Sequence, residues 1–94
     1  MRLTFAPAAA EDIDRIWDYT AENWGVDQAD KYVDDIKDVC GSLADGKKKG
    51  RKVHARSGYF KYAVGRHYVF FRRQTAEIEV IRILHQSMDM KRHL

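Results

Sequence analysis

The 94-residue sequence predicts an α+β fold: an N-terminal strand, an antiparallel two-helix hairpin packed on a small antiparallel sheet (β-α-α-β-β-β), and a short C-terminal tail. Three observations predict it. Apolar side chains recur at helical spacing through the first half, interrupted once at Gly25. The second half carries three runs of β-branched and aromatic residues separated by short turns. Carboxylates crowd the first half and cations the second.

The elements follow in order. Arg2–Phe5 is a short opening strand. Pro7 suits the first helical position, where its missing N–H costs nothing. Glu11, Asp12 and Asp14 load the first turns with negative charge, which complements the helix dipole. Ala9, Ile13, Ile16, Trp17, Thr20 and Trp24 share one face, so the first helix is expected from Ala8 to Trp24 with that stripe buried. Asp27 is expected to cap the second helix, with Asp30 completing a box-like arrangement. Ala29, Tyr32, Val33, Ile36, Val39, Cys40 and Leu43 form its apolar face, while Asp34, Asp35 and Asp38 point outward. The break at Gly25–Asp27 is so short that the helices must fold back on each other.

The segment GKKKGRKVHARSG, Gly46–Gly58, holds six of the seventeen basic residues and is expected to be a mobile loop with neither helix nor strand. Three strands then follow: Tyr59–Val64, His67–Arg73 and Glu77–His85, turning at Gly65–Arg66 and Gln74–Ala76. The last two are apolar on both faces (Val69, Phe70, Phe71; Val80, Ile81, Ile83, Leu84), which marks central strands covered on both sides. In the run Tyr59, Phe60, Lys61, Tyr62, the alternation predicts one face in the core. Gln86–Leu94 is the tail, with one short turn starting at Asp89.

Composition bounds the function. A chain of this length is read as a single domain, residues 1–94. Cys40 is the sole cysteine, which excludes an internal disulfide and fits a reducing cytoplasm. The N-terminal stretch turns acidic before an apolar run develops, so no signal peptide is read, and no run is apolar enough for a membrane span. Residues 1–46 carry eleven acidic against four basic side chains, a net of −7. Residues 47–94 carry thirteen basic against three acidic, a net of +10. Such segregation points to an acidic or nucleic-acid partner for the basic half. The candidate partner- or target-binding residues are Lys47, Lys48, Lys49, Arg51, Lys52, Arg56, Arg66, Arg72, Arg82 and Arg92.

The residues carry a resemblance. IWDYTAENWGVDQADKY (Ile16–Tyr32) resembles the helical hairpin of ParE toxins in the RelE/ParE superfamily. YAVGRHYVFFR (Tyr62–Arg72) is similar to the family's turn and aromatic strand. IEVIRILHQSMDMKRHL (Ile78–Leu94) is similar to its closing strand and tail, most specifically in the spacing of Arg82, His85, Met88, Asp89 and His93. Two positions depart from the family's pattern: Ala6 stands where Ser or Thr often caps helix one, and Ala63 where proline is often found. The resemblance implies the toxic component of a type II toxin–antitoxin system, a non-enzymatic inhibitor of DNA gyrase that traps cleaved DNA. It also implies neutralisation by a ParD-like antitoxin in a hetero-oligomer, with operator DNA bound only through the antitoxin.

Two alternatives stay open. One is a RelE-like mRNA-cleaving ribonuclease, for which Arg82 and His85 are the catalytic candidates as cation and base. Positions 82 and 85 differ in parity on a strand, so their side chains leave opposite faces unless a bulge intervenes. The structural expectation is that His85 hydrogen-bonds the tail and Arg82 pairs with an acidic neighbour. The other alternative is a weakly toxic module serving mainly operon autoregulation. His54, His67, His85, His93 and Cys40 do not form a zinc spacing, no glycine loop cradles phosphate, and no cofactor is expected.

Overall fold

The computed structural model describes residues 1–94. Its elements are β1 (Arg2–Phe5), α1 (Pro7–Trp24), α2 (Val26–Ala44), β2 (Arg51–Lys52), β3 (Tyr59–Val64), β4 (His67–Arg73), β5 (Glu77–His85) and α3 (Met90–His93). The five strands form one sheet in the order β1-β5-β4-β3-β2. The expected order of elements holds, with β2 added. The sheet is mixed, because β1 joins β5 in parallel while the other pairs are antiparallel. That register sets Leu3 beside Ile78 and Phe5 beside Val80, so β1 extends the apolar surface under the helices.

Helix α1 begins with Pro7 at its first turn, and Ala6 ahead of it supplies no side-chain cap. Ala9, Ile16 and Thr20 are buried as expected, but Trp24 is 60% exposed. The last buried position of α1 is Thr20 and the first of α2 is Ala29, so the hairpin tip stands clear of the core. Gly25, at φ 96°, ends α1 and directly precedes α2, a conformation that an L side chain resists. The linker is therefore one residue long. Asp27 falls inside the first turn of α2 and caps nothing. Asp30 is not part of a capping box either; its carboxylate accepts the Trp17 indole N–H at 2.8 Å and stitches the two helices together.

The basic segment is more regular than its composition suggests. Arg51 and Lys52 pair with Lys61 and Phe60 as β2, and Val53 is buried. Gly50 lies so close to Phe71 that a β-carbon there would sit 2.6 Å from the ring. Burying Val53 and pressing the backbone onto Phe71 gives this lysine-rich stretch apolar anchors that its charge pattern hides.

Two apolar clusters flank the sheet. The larger joins Ala9, Ile16, Ile36, Cys40 and Leu43 of the helices to Val69, Phe71, Ile78, Val80 and Ile83. The smaller, on the far face, joins Val53, Phe70 and Leu84 to Tyr59, Tyr68 and the tail residues Met90 and Leu94. A bulge explains how Ile78, Val80 and Ile83 reach the same side. Phe70 opposes Arg82 and Phe71 opposes Val80, leaving Ile81 as an extra residue that shifts the alternation of β5.

Candidate functional site

Arg82 and His85 are held apart. The bulge at Ile81 precedes both, so their parity stays opposed. Arg82 opposes far-face Phe70, and its guanidinium reaches the edge of β5 beyond the last pair with β1. There Nε donates to Asp12 Oδ2 at 2.8 Å and Nη2 to Asp12 Oδ1 at 2.9 Å. Asp12 also accepts the backbone N–H of Ile83 at 2.9 Å. Asp12 sits three residues after Ala9 and four before Ile16, on the buried face of α1, so it is an ion-pair partner rather than the solvated dipole complement expected. The hydrogen bonds to Asp12 raise the Arg82 pKa further, so its charge is fixed at any working pH. A third donation, Nη1 to the His93 carbonyl at 3.1 Å, ties the tail to this pair.

His85 lies on the helix side. Its Nδ1 is 2.7 Å from Ser87 Oγ and accepts the Ser87 backbone N–H at 3.1 Å, the expected tail contact. Its ring meets His67 edge-on, with centroids 5.3 Å apart. His67 Nδ1 in turn is 2.6 Å from the Tyr32 hydroxyl, which also accepts the Arg66 N–H at 3.0 Å. Burial, and then the neighbouring His85, push the His67 pKa down to about 4, against a weaker opposing pull from Asp12. Burial also raises the Tyr32 phenol. Sequence reasoning did not find this constellation, because Tyr32 and His67 meet only through the crossing of α2 over the β3–β4 turn. Burial pushes the Cys40 thiol up to about 12, which suits the inert, core-packed role its spacing suggested.

The ten candidate cations do not form one patch. Lys47, Lys48 and Lys49 follow the C-terminus of α2, where the first two backbone N–H groups bond the Ser42 carbonyl. Lys48 sits over the Tyr62 ring at 5.5 Å. Lys52 shares a face with core-packed Phe60. Arg66 stands at the β3–β4 turn and Arg92 on α3. Arg56 and Arg72 gather on the far face around Tyr59, 4.9 Å and 5.8 Å from its ring centre, and Arg51 shares that face opposite Lys61. Lys61, absent from the candidates, joins them over the Tyr68 ring at 4.6 Å. The tail lies over part of this face: Asp89 caps α3 through the Lys91 N–H, and Arg56 donates to the Leu94 carbonyl.

Of the thirteen cations in residues 47–94, only Arg82 lies within ion-pair distance of a side-chain carboxylate. The far face is thus a tyrosine-studded surface on which cations outnumber carboxylates: Glu79, opposite Arg72 across β4 and β5, shares it but forms no ion pair there. No three His, Cys, Asp or Glu side chains gather to hold a metal ion, and no helix is long and apolar enough to cross a membrane.

A two-helix hairpin on one face of a five-stranded mixed sheet, in the order strand, helix, helix, strands, is the architecture of the RelE/ParE class of proteins. The match extends to the family. The family model described as "ParE toxin of type II toxin-antitoxin system, parDE" covers residues 3–90, and the chain belongs to that family. The Mycobacterium tuberculosis protein named Toxin ParE1 is 40% identical over 99% of this chain and 97% of its own length. A chain of the chromosomal ParDE system from P. aeruginosa superposes with a TM-score of 0.80 at 27% identity, covering 90% of this chain and 95% of that one. A chain of the RelB–RelE complex from Methanococcus jannaschii shares the fold at 15% identity and a TM-score of 0.58, covering 88% and 89%.

Proposed function

We propose that this chain, acting as one domain over residues 1–94, is a toxin that works by binding and not by cleaving. Its target is DNA gyrase, trapped with cleaved DNA, and a ParD-like antitoxin neutralises it in the cytoplasm without any cofactor. The observation that carries the non-catalytic reading is the separation of Arg82 from His85. Arg82 is locked in a two-pronged ion pair with Asp12, and His85 lies across the strand against Ser87 and His67. A ribonuclease of the RelE kind would need a cation and a base converging on one phosphate.

The antitoxin reading rests on the far face. Arg51, Lys61 and Arg72, with Arg56 beside them, make no ion pair with a side-chain carboxylate of their own chain, although Glu79 stands opposite Arg72. An acidic, amphipathic segment that folds on binding would supply carboxylates to those cations and apolar side chains beside Tyr59, Tyr68 and Met90. Of the proposed contacts, Arg56 and Arg72 are the central pair, with Lys47, Lys48, Lys49, Arg51, Lys52, Arg66 and Arg92 around them. Arg82 is structural first. The test is pulse-labelling after induction of this protein alone, following thymidine and methionine uptake together. Thymidine uptake falling first, with a DNA-damage response, supports gyrase. Methionine uptake collapsing first overturns it and makes His85 a catalytic suspect.

A further inference from the structure

The hairpin tip carries a surface that the antitoxin reading does not use. Tyr19 and Trp24 are 61% and 60% exposed, and Val26 is 54% exposed. The two rings pack edge-on against each other with centroids 5.9 Å apart. Their mutual contact fixes both rings without burying either. A rigid, exposed Trp–Tyr pair loses little conformational freedom on docking, and such residues dominate the energetics of protein interfaces.

The charge around this pair is of one sign. Between Ile16 and Asp30 there are four carboxylates (Asp18, Glu22, Asp27, Asp30) and no lysine or arginine. Of these, Asp30 is engaged by Trp17. The bordering cations are occupied elsewhere: Arg15 lies against Glu11 and Asp12, and Lys31 against Asp35. The tip therefore repels nucleic acid and repels an acidic antitoxin segment. It complements a cationic protein surface, whose Arg or Lys side chains would meet the carboxylates and stack on the exposed indole.

We infer that Tyr19, Trp24 and the carboxylates Asp18 and Glu22 at the hairpin tip form the surface that docks onto a cationic, apolar-pocketed face of the toxin's protein target, separate from the antitoxin-binding sheet face. This rests on the proposed binding mode of action and specifies which surface performs it. The partner is a protein; the sheet face, opposite in charge and on the other side of the molecule, takes the antitoxin.

The experiment compares the full-length wild type with the Tyr19→Ala/Trp24→Ala and Asp18→Lys/Glu22→Lys variants. Three readouts are taken: inhibition of supercoiling by purified DNA gyrase on plasmid DNA, growth arrest on induction, and calorimetric affinity for the cognate antitoxin. Far-UV circular dichroism and thermal melting check the fold, which both variants should keep because the four residues are exposed. Both variants are expected to need about tenfold or more protein for equal gyrase inhibition, with antitoxin affinity unchanged. Inhibition equal to wild type overturns the inference, as does an equal loss of antitoxin affinity or the dissolution of a wild-type homodimer. If the wild type does not inhibit gyrase, the gyrase reading fails and growth arrest decides. Arrest by the wild type that the variants lose keeps the tip as the docking surface for another protein. Arrest by both, or by neither, overturns it.

Discussion

The helical layer and the far face of the sheet carry opposite charge, and they dispose of it differently. In the helices, Arg15 and Lys31 each lie one turn from a carboxylate, at 3.6 and 3.7 Å, in exposed pairs that add little stability. On the far face of the sheet, Arg56, Lys61 and Arg72 lie over tyrosine rings, and Arg82 is the one sheet cation in an ion pair, Arg72 forming none even with Glu79 opposite it. Net charge alone would mark both regions as sticky. Pairing separates them: the sheet holds its positive charge in reserve for a partner, and the helices hold an acidic surplus around two bare aromatic rings.

Arg82 is the one point where the two regions exchange charge, and breaking it should have the largest effect. Replacing Arg82 by alanine leaves Asp12, only 7% exposed, without its guanidinium. The expected loss is about 3 kcal/mol of stability, read as a lower urea midpoint. A search for catalytic residues that relied on Arg82→Ala would therefore report unfolding. His85→Ala, which removes a half-buried ring bonded only to the tail, is the cleaner probe of cleavage.

The next contrast concerns the basic segment. Gly50→Ala would drive a methyl group into the Phe71 ring and the Lys61 carbonyl, at 2.6 and 3.0 Å. The expected cost is about 1–3 kcal/mol in the same urea titration. A silent substitution would mean that the segment is not packed against the sheet.

A pH titration sharpens the comparison at the seam between α2 and the sheet. The His67 pKa is lowered from 6.5 to about 4 in the folded chain. The unfolded chain therefore binds the extra proton first as pH falls. The contribution of neutral His67 is complete above its unfolded pKa and is lost as pH drops towards its folded value. Urea midpoints at pH 7 and 4.5 should differ less in His67→Gln than in wild type.

The smallest effect is expected at the entry to α1. Ala6 offers the helix no side-chain cap. Ala6→Ser should stabilise the protein by about 1 kcal/mol, seen as a rise of several degrees in the melting temperature.

Much of this was legible in the sequence. The bounds of β1, β3, β4 and β5 follow from the β-rich runs and their Gly turns, and the helices from their apolar period. The parity of Arg82 and His85 was enough to question a catalytic pair. What escaped has physical causes. Asp12 shares the buried face of Ala9 and Ile16, but its partner lies seventy residues on. β2 is hidden because lysines mask the anchoring by Gly50 and Val53. Trp24 keeps the helical period yet stands beyond the sheet that would cover it. The loss of alternation between Val80 and Ile83 was the visible trace of the bulge at Ile81. The far-face site was legible only as a charge surplus, since which cations lack carboxylates depends on contacts between distant residues.

The most direct test of the central claim, that the sheet keeps its cations free for an acidic partner, is calorimetric titration of the cognate antitoxin into wild type and Arg56→Glu/Arg72→Glu at low and high salt. At least about a tenfold loss of affinity is expected in the variant, with a weaker salt dependence than wild type and an unchanged fold. Equal affinity and equal salt dependence in the two proteins would contradict it.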